Sequence, residues 1–321
     1  MKSEGTSLKL RSLVSVGFVV GLAACSSSST TSSGAPSGTP ADGGKTIGIS
    51  IQNRESQFYQ DMEDGMESEA AKYGYTVSVV DASRNNFKQQ SEVEDFISQK
   101  VDAIVLTPYD SQAIGSAIVE ANSYKIPVFT ADIANASRHG KVVAHIASDN
   151  VQGGGQAGKL MCAALGSAGG SVAIIDEPEV TSVKDRVKGF KHAIKACSAP
   201  IKIVADIDGG GEHAKARSVM EDLMQAHKDL KGVFGINDDS ALGAASAIDA
   251  AGLKGEVAVI GYDATPEAQT AIQKGSMYGD AFQHPYQIGE RTIDEIHAYF
   301  TRTIPPARIV HVGTFTKANT K

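Results

Sequence analysis

Residues 256–263 read EVAVIGYD, a near-continuous apolar run that ends in a tyrosine and an aspartate. A run this short, rich in β-branched residues and without alternation, predicts a strand buried on both faces. An amphipathic stretch follows it. The same unit recurs in both directions along the chain. Strands are predicted at TIGISI (46–51), YTVSVVD (75–81), DAIVLTP (102–108), IPVFTAD (126–132) and VVAHIAS (142–148). They continue at GSVAIID (170–176), IKIVADI (201–207) and KGVFGIN (231–237). Helical patterns lie between them, the first three over residues 58–73, 87–100 and 111–123. Parallel strands joined by right-handed helical crossovers follow from this alternation. The fold class is α/β, and there are too many strands for one comfortable sheet. Two doubly wound lobes are therefore expected.

Several predicted strands end in polar or aromatic chemistry: Asp132 after VFTA, Asn237 after VFGI, and Tyr262 with Asp263 after VAVIG. Ligands of open α/β sheets sit beyond the carboxyl ends of the strands. One such residue alone is as well explained as a cap on the next helix. The set comes from both halves of the chain, which favours a shared site.

Two phosphate-binding patterns fail on inspection. GGGQAGKL at 153–160 has the glycines and Lys159 of a phosphate loop, but Leu160 stands where a magnesium-binding Ser or Thr is needed. The same glycines also satisfy G-x-G-x-x-G, with Asp176 ending the next strand. Asp149 and Asn150 precede them as a helix cap, which places the glycines inside the helix rather than before it. Small residues that let this helix pack closely are the better account. No G-x-S-x-G elbow or H-E-x-x-H pair occurs, and the eight histidines are scattered. No catalytic residue, metal site or cofactor is expected. A net charge of −7 with both signs interspersed argues against a nucleic-acid partner.

The chain starts with Lys2, Lys9 and Arg11, followed by an apolar run over residues 13–24 that is too short to span a bilayer. It ends Leu22-Ala23-Ala24-Cys25, which resembles the bacterial lipobox. The resemblance implies a signal peptide over residues 1–24 and acylation of Cys25. Residues 26–44 are rich in Ser, Thr, Gly and Pro and cannot bury a core, so they read as a flexible tether. Lipid on Cys25 would hold the protein to the outer face of a membrane without spanning it. Two cysteines remain, Cys162 and Cys197. In an exported protein such a pair often bonds, and a disulfide is expected in preference to two buried thiols.

From about residue 46 to 316 the chain resembles the sugar-binding proteins of ABC importers, in the ribose-binding-like branch of the type I periplasmic binding fold. The resemblance rests on HIASDNVQGG (145–154), RVKGF (186–190), VFGINDDSALGAASAI (233–248), VAVIGYDATPEA (257–268) and AFQHPYQIGE (281–290). It implies a first lobe of residues 46–147 with 284–311, a second of 148–283 with 312–321, and three crossing segments as a hinge. It also implies a sugar held between the lobes. Gln52, Ser56, Phe58 and Tyr59 fall where the first loop supplies a polar residue and ring-stacking aromatics. Asp132, Arg186, Asn237, Tyr262, Asp263 and Gln283 fall on the family's other contact positions.

Those residue types suit a neutral polyhydroxyl ligand, whose hydroxyls each donate and accept. Two departures stand out. Ile133 replaces an arginine of the ribose binders, and Gly211, in DGGGEHA, replaces an aromatic wall. A roomier, less polar pocket than that for ribose is expected. The implied partners are a small sugar or polyol and the permease and ATPase subunits of an importer, with the protein itself monomeric. A sensor presenting the sugar to a chemoreceptor or kinase is the alternative. A hydrolase would need a water-activating pair, and a transcriptional regulator of this fold would need an N-terminal helix-turn-helix where the signal and tether stand.

Overall fold

A computed structural model describes residues 44–319. The expected signal peptide, Cys25 and all but the last residue of the tether lie outside them. The first part of the described chain runs β1 (Thr46–Ile51), α1 (Gln57–Lys72), β2 (Thr76–Asp81), α2 (Asn86–Gln99), β3 (Ala103–Leu106), α3 (Gly115–Ser123), β4 (Val128–Ala131) and β5 (Val142–Ser148). The next part runs α4 (Asn150–Leu165), β6 (Gly170–Asp176), α5 (Thr181–Ala196), β7 (Ile201–Asp208), α6 (His213–Ala226), β8 (Leu230–Gly235), α7 (Asp238–Ala250), β9 (Ala258–Asp263), α8 (Pro266–Lys274) and β10 (Gly279–Phe282). The last elements are α9 (Pro285–Thr301), β11 (Ile309–Val310) and β12 (Gly313–Thr316).

The strands form two six-stranded sheets, ordered β11-β5-β4-β3-β1-β2 and β12-β10-β9-β8-β6-β7. The first sheet is parallel throughout. In the second only β12 is antiparallel, against β10 at the edge. The α/β architecture is as the sequence implied. The chain passes between the sheets three times: after β5, after β10 and after β11.

Local sequence explains these elements. β3 and β4 are buried at every position, as strands covered by helices on both faces must be. Asn85 caps α2, its side chain accepting from Phe87 N and Lys88 N at 2.9 and 3.0 Å. Asp149 caps α4 by accepting from Gln152 N at 3.0 Å, so Gly153 to Gly158 do lie inside a helix. A Cβ on Gly154 would come within 1.9 Å of the Arg186 carbonyl oxygen. The glycine run serves close helix packing, and the phosphate-loop pattern is fortuitous.

Cys162 in α4 and Cys197, the residue after α5, are joined by a disulfide with Cα atoms 6.2 Å apart. The third predicted helix starts later than its pattern suggested. Residues 111–114 form a turn because the Asp110 carboxylate accepts from Gln112 N and Ala113 N at 2.7 and 3.0 Å.

Candidate functional site

The carboxyl ends of β1, β2, β4, β6, β8 and β9 converge on one cavity between the two sheets. Each end sets its side chains by local rules. After β1, Asn53 Oδ1 accepts from Glu55 N and Ser56 N at 3.1 and 2.9 Å, a turn that starts α1 at Ser56. The first turn of α1 then buries Phe58 and Tyr59, with rings edge to face and centroids 5.2 Å apart. Asp132 follows β4 with φ of 60°, and Asp263 ends β9 with φ of 128°. L-residues rarely hold such backbones, and they cluster where a fold over-determines a binding geometry.

Eight of the ten residues expected to bind ligand line the cavity: Gln52, Ser56, Phe58, Tyr59, Asp132, Arg186, Asn237 and Asp263. The other two stand behind them. Tyr262 lies flat beneath Arg186, whose guanidinium carbon is 4.1 Å from the ring centroid. Gln283 is fully buried and donates to Asp263 Oδ1 at 2.7 Å. They position the contacting groups. Asn237 is also partly committed to the protein. Its Oδ1 accepts from Ser240 N at 2.9 Å, capping α7, and its Nδ2 donates to the Gly211 carbonyl at 3.1 Å.

Arg186 is the most constrained group. Its Nε donates to Asn150 Oδ1 at 2.9 Å and its Nη1 to the Ile236 carbonyl at 3.0 Å. Nη2 faces Asp132 Oδ1 across the cavity at 3.8 Å, an ion pair too long for a hydrogen bond. Burial works against the Arg186 charge, but Tyr262, Asp263 and Asp132 outweigh it and raise its pKa. Burial raises Asp132, with Arg186 and Tyr59 pulling the other way. Burial raises Asp263 well above the usual carboxylate range.

Two ionisable cavity residues escaped the sequence reading, Arg84 and Glu177. Both follow strand ends, β2 and β6, so the rule applied to β4, β8 and β9 would have found them. They also correct the expected gap. Gly211 leaves no open space, because a Cβ there would meet Glu177 Oε2 at 2.5 Å and Asn237 Nδ2 at 3.2 Å. Ile133 is 1% exposed and packs in the apolar cluster of Val180 and Val183. The Gly211 end of the pocket is therefore filled and polar, with a guanidinium and a carboxyl there. Its volume is about 20 Å³, space for roughly one water. A larger hollow of about 570 Å³, near Met224, His227 and Leu253, is an open surface groove far from the strand ends that carry the convergent charges.

Comparison with known proteins bears on the family and the fold. The sequence matches the periplasmic binding protein domain over residues 47–302. It is 36% identical to the ribose import binding protein of Bacillus subtilis, over 76% of this chain and 78% of that protein. It is 34% identical to the ribose import binding protein of Salmonella typhimurium, over 78% of this chain and 82% of that one. The Caulobacter myo-inositol binding protein, solved with myo-inositol bound, superposes with a TM-score of 0.79 at 28% identity, covering 85% of this chain and 94% of that one.

Glu177 gives this site a pH signature. Burial pushes its carboxyl from an ordinary 4.5 up to about 8, against the pull of Arg84 and Arg186. Between those values the folded chain holds a proton that the unfolded chain has released. Stability contributed by Glu177 therefore falls as pH rises from about 4.5 to 8 and levels off above. Glu177→Gln should gain on the wild type by roughly 1–3 kcal/mol between pH 5 and pH 8, measured by urea unfolding. Parallel stability curves for the two proteins would contradict this. With the site and the matches combined, the chain belongs to the periplasmic binding protein family and is a binding protein rather than an enzyme.

Proposed function

We propose that the protein captures a neutral sugar or polyol between two lobes outside the cytoplasm and hands it to an ABC importer. The observation that carries this is the convergence, from both sheets, of carboxyl acceptors, guanidinium donors and two aromatic rings on one closed cavity. Each sugar hydroxyl can accept from Arg186 or Arg84 and donate to Asp132, Asp263 or Glu177. Phe58 and Tyr59 offer apolar faces to the ring's C–H side. A phosphate ligand would call for donors with few carboxyls, the reverse of this set. Two of the relatives named above are import binding proteins, which favours import over presentation to a chemoreceptor or kinase.

The moving units in this reading are residues 46–147 with 284–311 and residues 148–283 with 312–321. The three passages between the sheets act as the hinge. Cys25 carries lipid, and residues 25–44 are the leash to the membrane.

A thermal-shift screen over sugars and polyols tests the binding reading. A ligand at 100 times its Kd adds about 2.7 kcal/mol of stability, a clear rise in Tm. The best hit should bind Asp132→Asn and Arg186→Lys more weakly by roughly 2–5 kcal/mol, because each leaves a desolvated partner unpaired. No shift with any sugar or polyol, or equal affinity in both variants, would contradict the reading. For the anchor, the wild type should fractionate with membranes and Cys25→Ala should be released. Wild-type protein free in the soluble fraction would refute acylation.

A further inference from the structure

Arg84 and Glu177 face each other at the Gly211 end of the cavity, one from each sheet. The Arg84 side chain is 11% exposed, and its Nη1 and Nη2 donate to the Gly210 and Gly211 carbonyls at 3.2 and 3.3 Å. Its Nε is buried and has no hydrogen-bond partner among the described residues. Glu177 is 6% exposed and stands 3.9 Å from Arg84 Nη1, too far for a hydrogen bond. Gln52 Nε2 donates to Glu177 Oε1 at 3.4 Å, a long contact. A buried donor left unpaired is costly, and so is a carboxyl this weakly partnered.

The backbone is arranged to keep this pair. Gly211 has φ of 63°, where a side chain is strained, and its missing Cβ is the space that Glu177 Oε2 takes. An aromatic side chain cannot coexist with Glu177 there. Ile133, another lining residue, has an apolar side chain. Gln52 and Asn237 also line this end, but the Asn237 side chain is committed to Ser240 N and the Gly211 carbonyl, which leaves Arg84 and Glu177 as its ionisable groups.

We propose that Arg84 and Glu177 contact the ligand and set its identity, by holding one further sugar hydroxyl that accepts from Arg84 Nε and donates to the Glu177 carboxyl. The selected class is then a sugar or polyol with a hydroxyl at the Gly211 end, beyond those held by Asp132, Arg186 and Asp263. A site that pairs a hydroxyl with buried groups discriminates strongly against the analogue lacking it.

This inference rests on the sugar reading, and its test separates the two. The tightest sugar of the screen is titrated by calorimetry beside each of its single-deoxy analogues. In the wild type, loss of the hydroxyl at the Gly211 end should weaken binding by at least about 30-fold. In Glu177→Gln and Arg84→Gln the same loss should cost less than about 5-fold, while penalties at the other hydroxyls stay as in the wild type. Glu177→Gln keeps the shape and spares the folded chain the cost of a buried ionisable carboxyl, so it should fold. Gly211→Ala, which puts a methyl where the carboxyl lies, should lower the same penalty. Deoxy penalties identical in wild type and variants would overturn the inference and leave the sugar reading intact. Failure of the wild type to bind any sugar or polyol would overturn both.

Discussion

The Arg186 guanidinium is 5% exposed and bears a charge that the second sheet must compensate. An unpaired charge at that depth costs many kcal/mol, so its neighbours are not free to vary independently. Asn150 at the start of α4, the Ile236 carbonyl beyond β8 and the Tyr262 ring at the end of β9 each fix one side of it. Tyr262 in turn donates its hydroxyl to Asn150 Oδ1 at 3.2 Å, closing the set. Helix α4 has to lie very close to make these contacts. A Cβ on Gly153 would meet the Tyr262 hydroxyl at 2.1 Å, and one on Gly154 the Arg186 backbone. The glycine run that imitates a nucleotide-binding loop is thus a packing requirement of a buried arginine.

From that fixed point the function follows. Arg186 is held rigidly by elements of one sheet and faces Asp132, which follows a strand of the other. The attraction between them is present only when the two sheets' edges are together. A sugar hydroxyl that accepts from Arg186 and donates to Asp132 replaces a long, imperfect ion pair with two hydrogen bonds. In the proposed reading closure and binding are one event, because the groups that desolvate on closing are those the ligand would pair. Left-handed backbones at Asp132 and Ala264, with φ of 60° and 59°, hold the two strand ends on either side of this line.

Much of this was legible in the sequence, for physical reasons that differ by element. Strands such as β3 and β4 announce themselves because burial on both faces forces an unbroken apolar run. Strands β10 and β12 read GDAF and GTFT, broken by Gly, Asp and Thr, and β11 spans two residues, so none carries an unbroken apolar run. Polar residues at strand ends pointed to Asp132, Asn237 and Asp263, yet the same signal at Arg84 and Glu177 passed unused. The expected gap at Gly211 failed for a different reason. A missing side chain seen in sequence reads as empty space, and only the fold shows that a carboxyl from another strand fills it. Tyr262 and Gln283 likewise look like contact residues in sequence, but packing places them one layer back.

The central claim is that a sugar lies between Arg186 and Asp132 and that the cavity expands to receive it. A crystal structure of the complex with the tightest sugar tests this most directly. The account predicts the ring against Phe58 and Tyr59, with hydroxyls bonded to Arg186, Asp132 and Asp263. The Arg186 Nη2 to Asp132 Oδ1 separation should move from 3.8 Å as the ligand comes between them, while the bonds of Arg186 to Asn150 and Ile236 persist. A sugar bound at another hollow, with the Arg186–Asp132 pair unchanged, would contradict it.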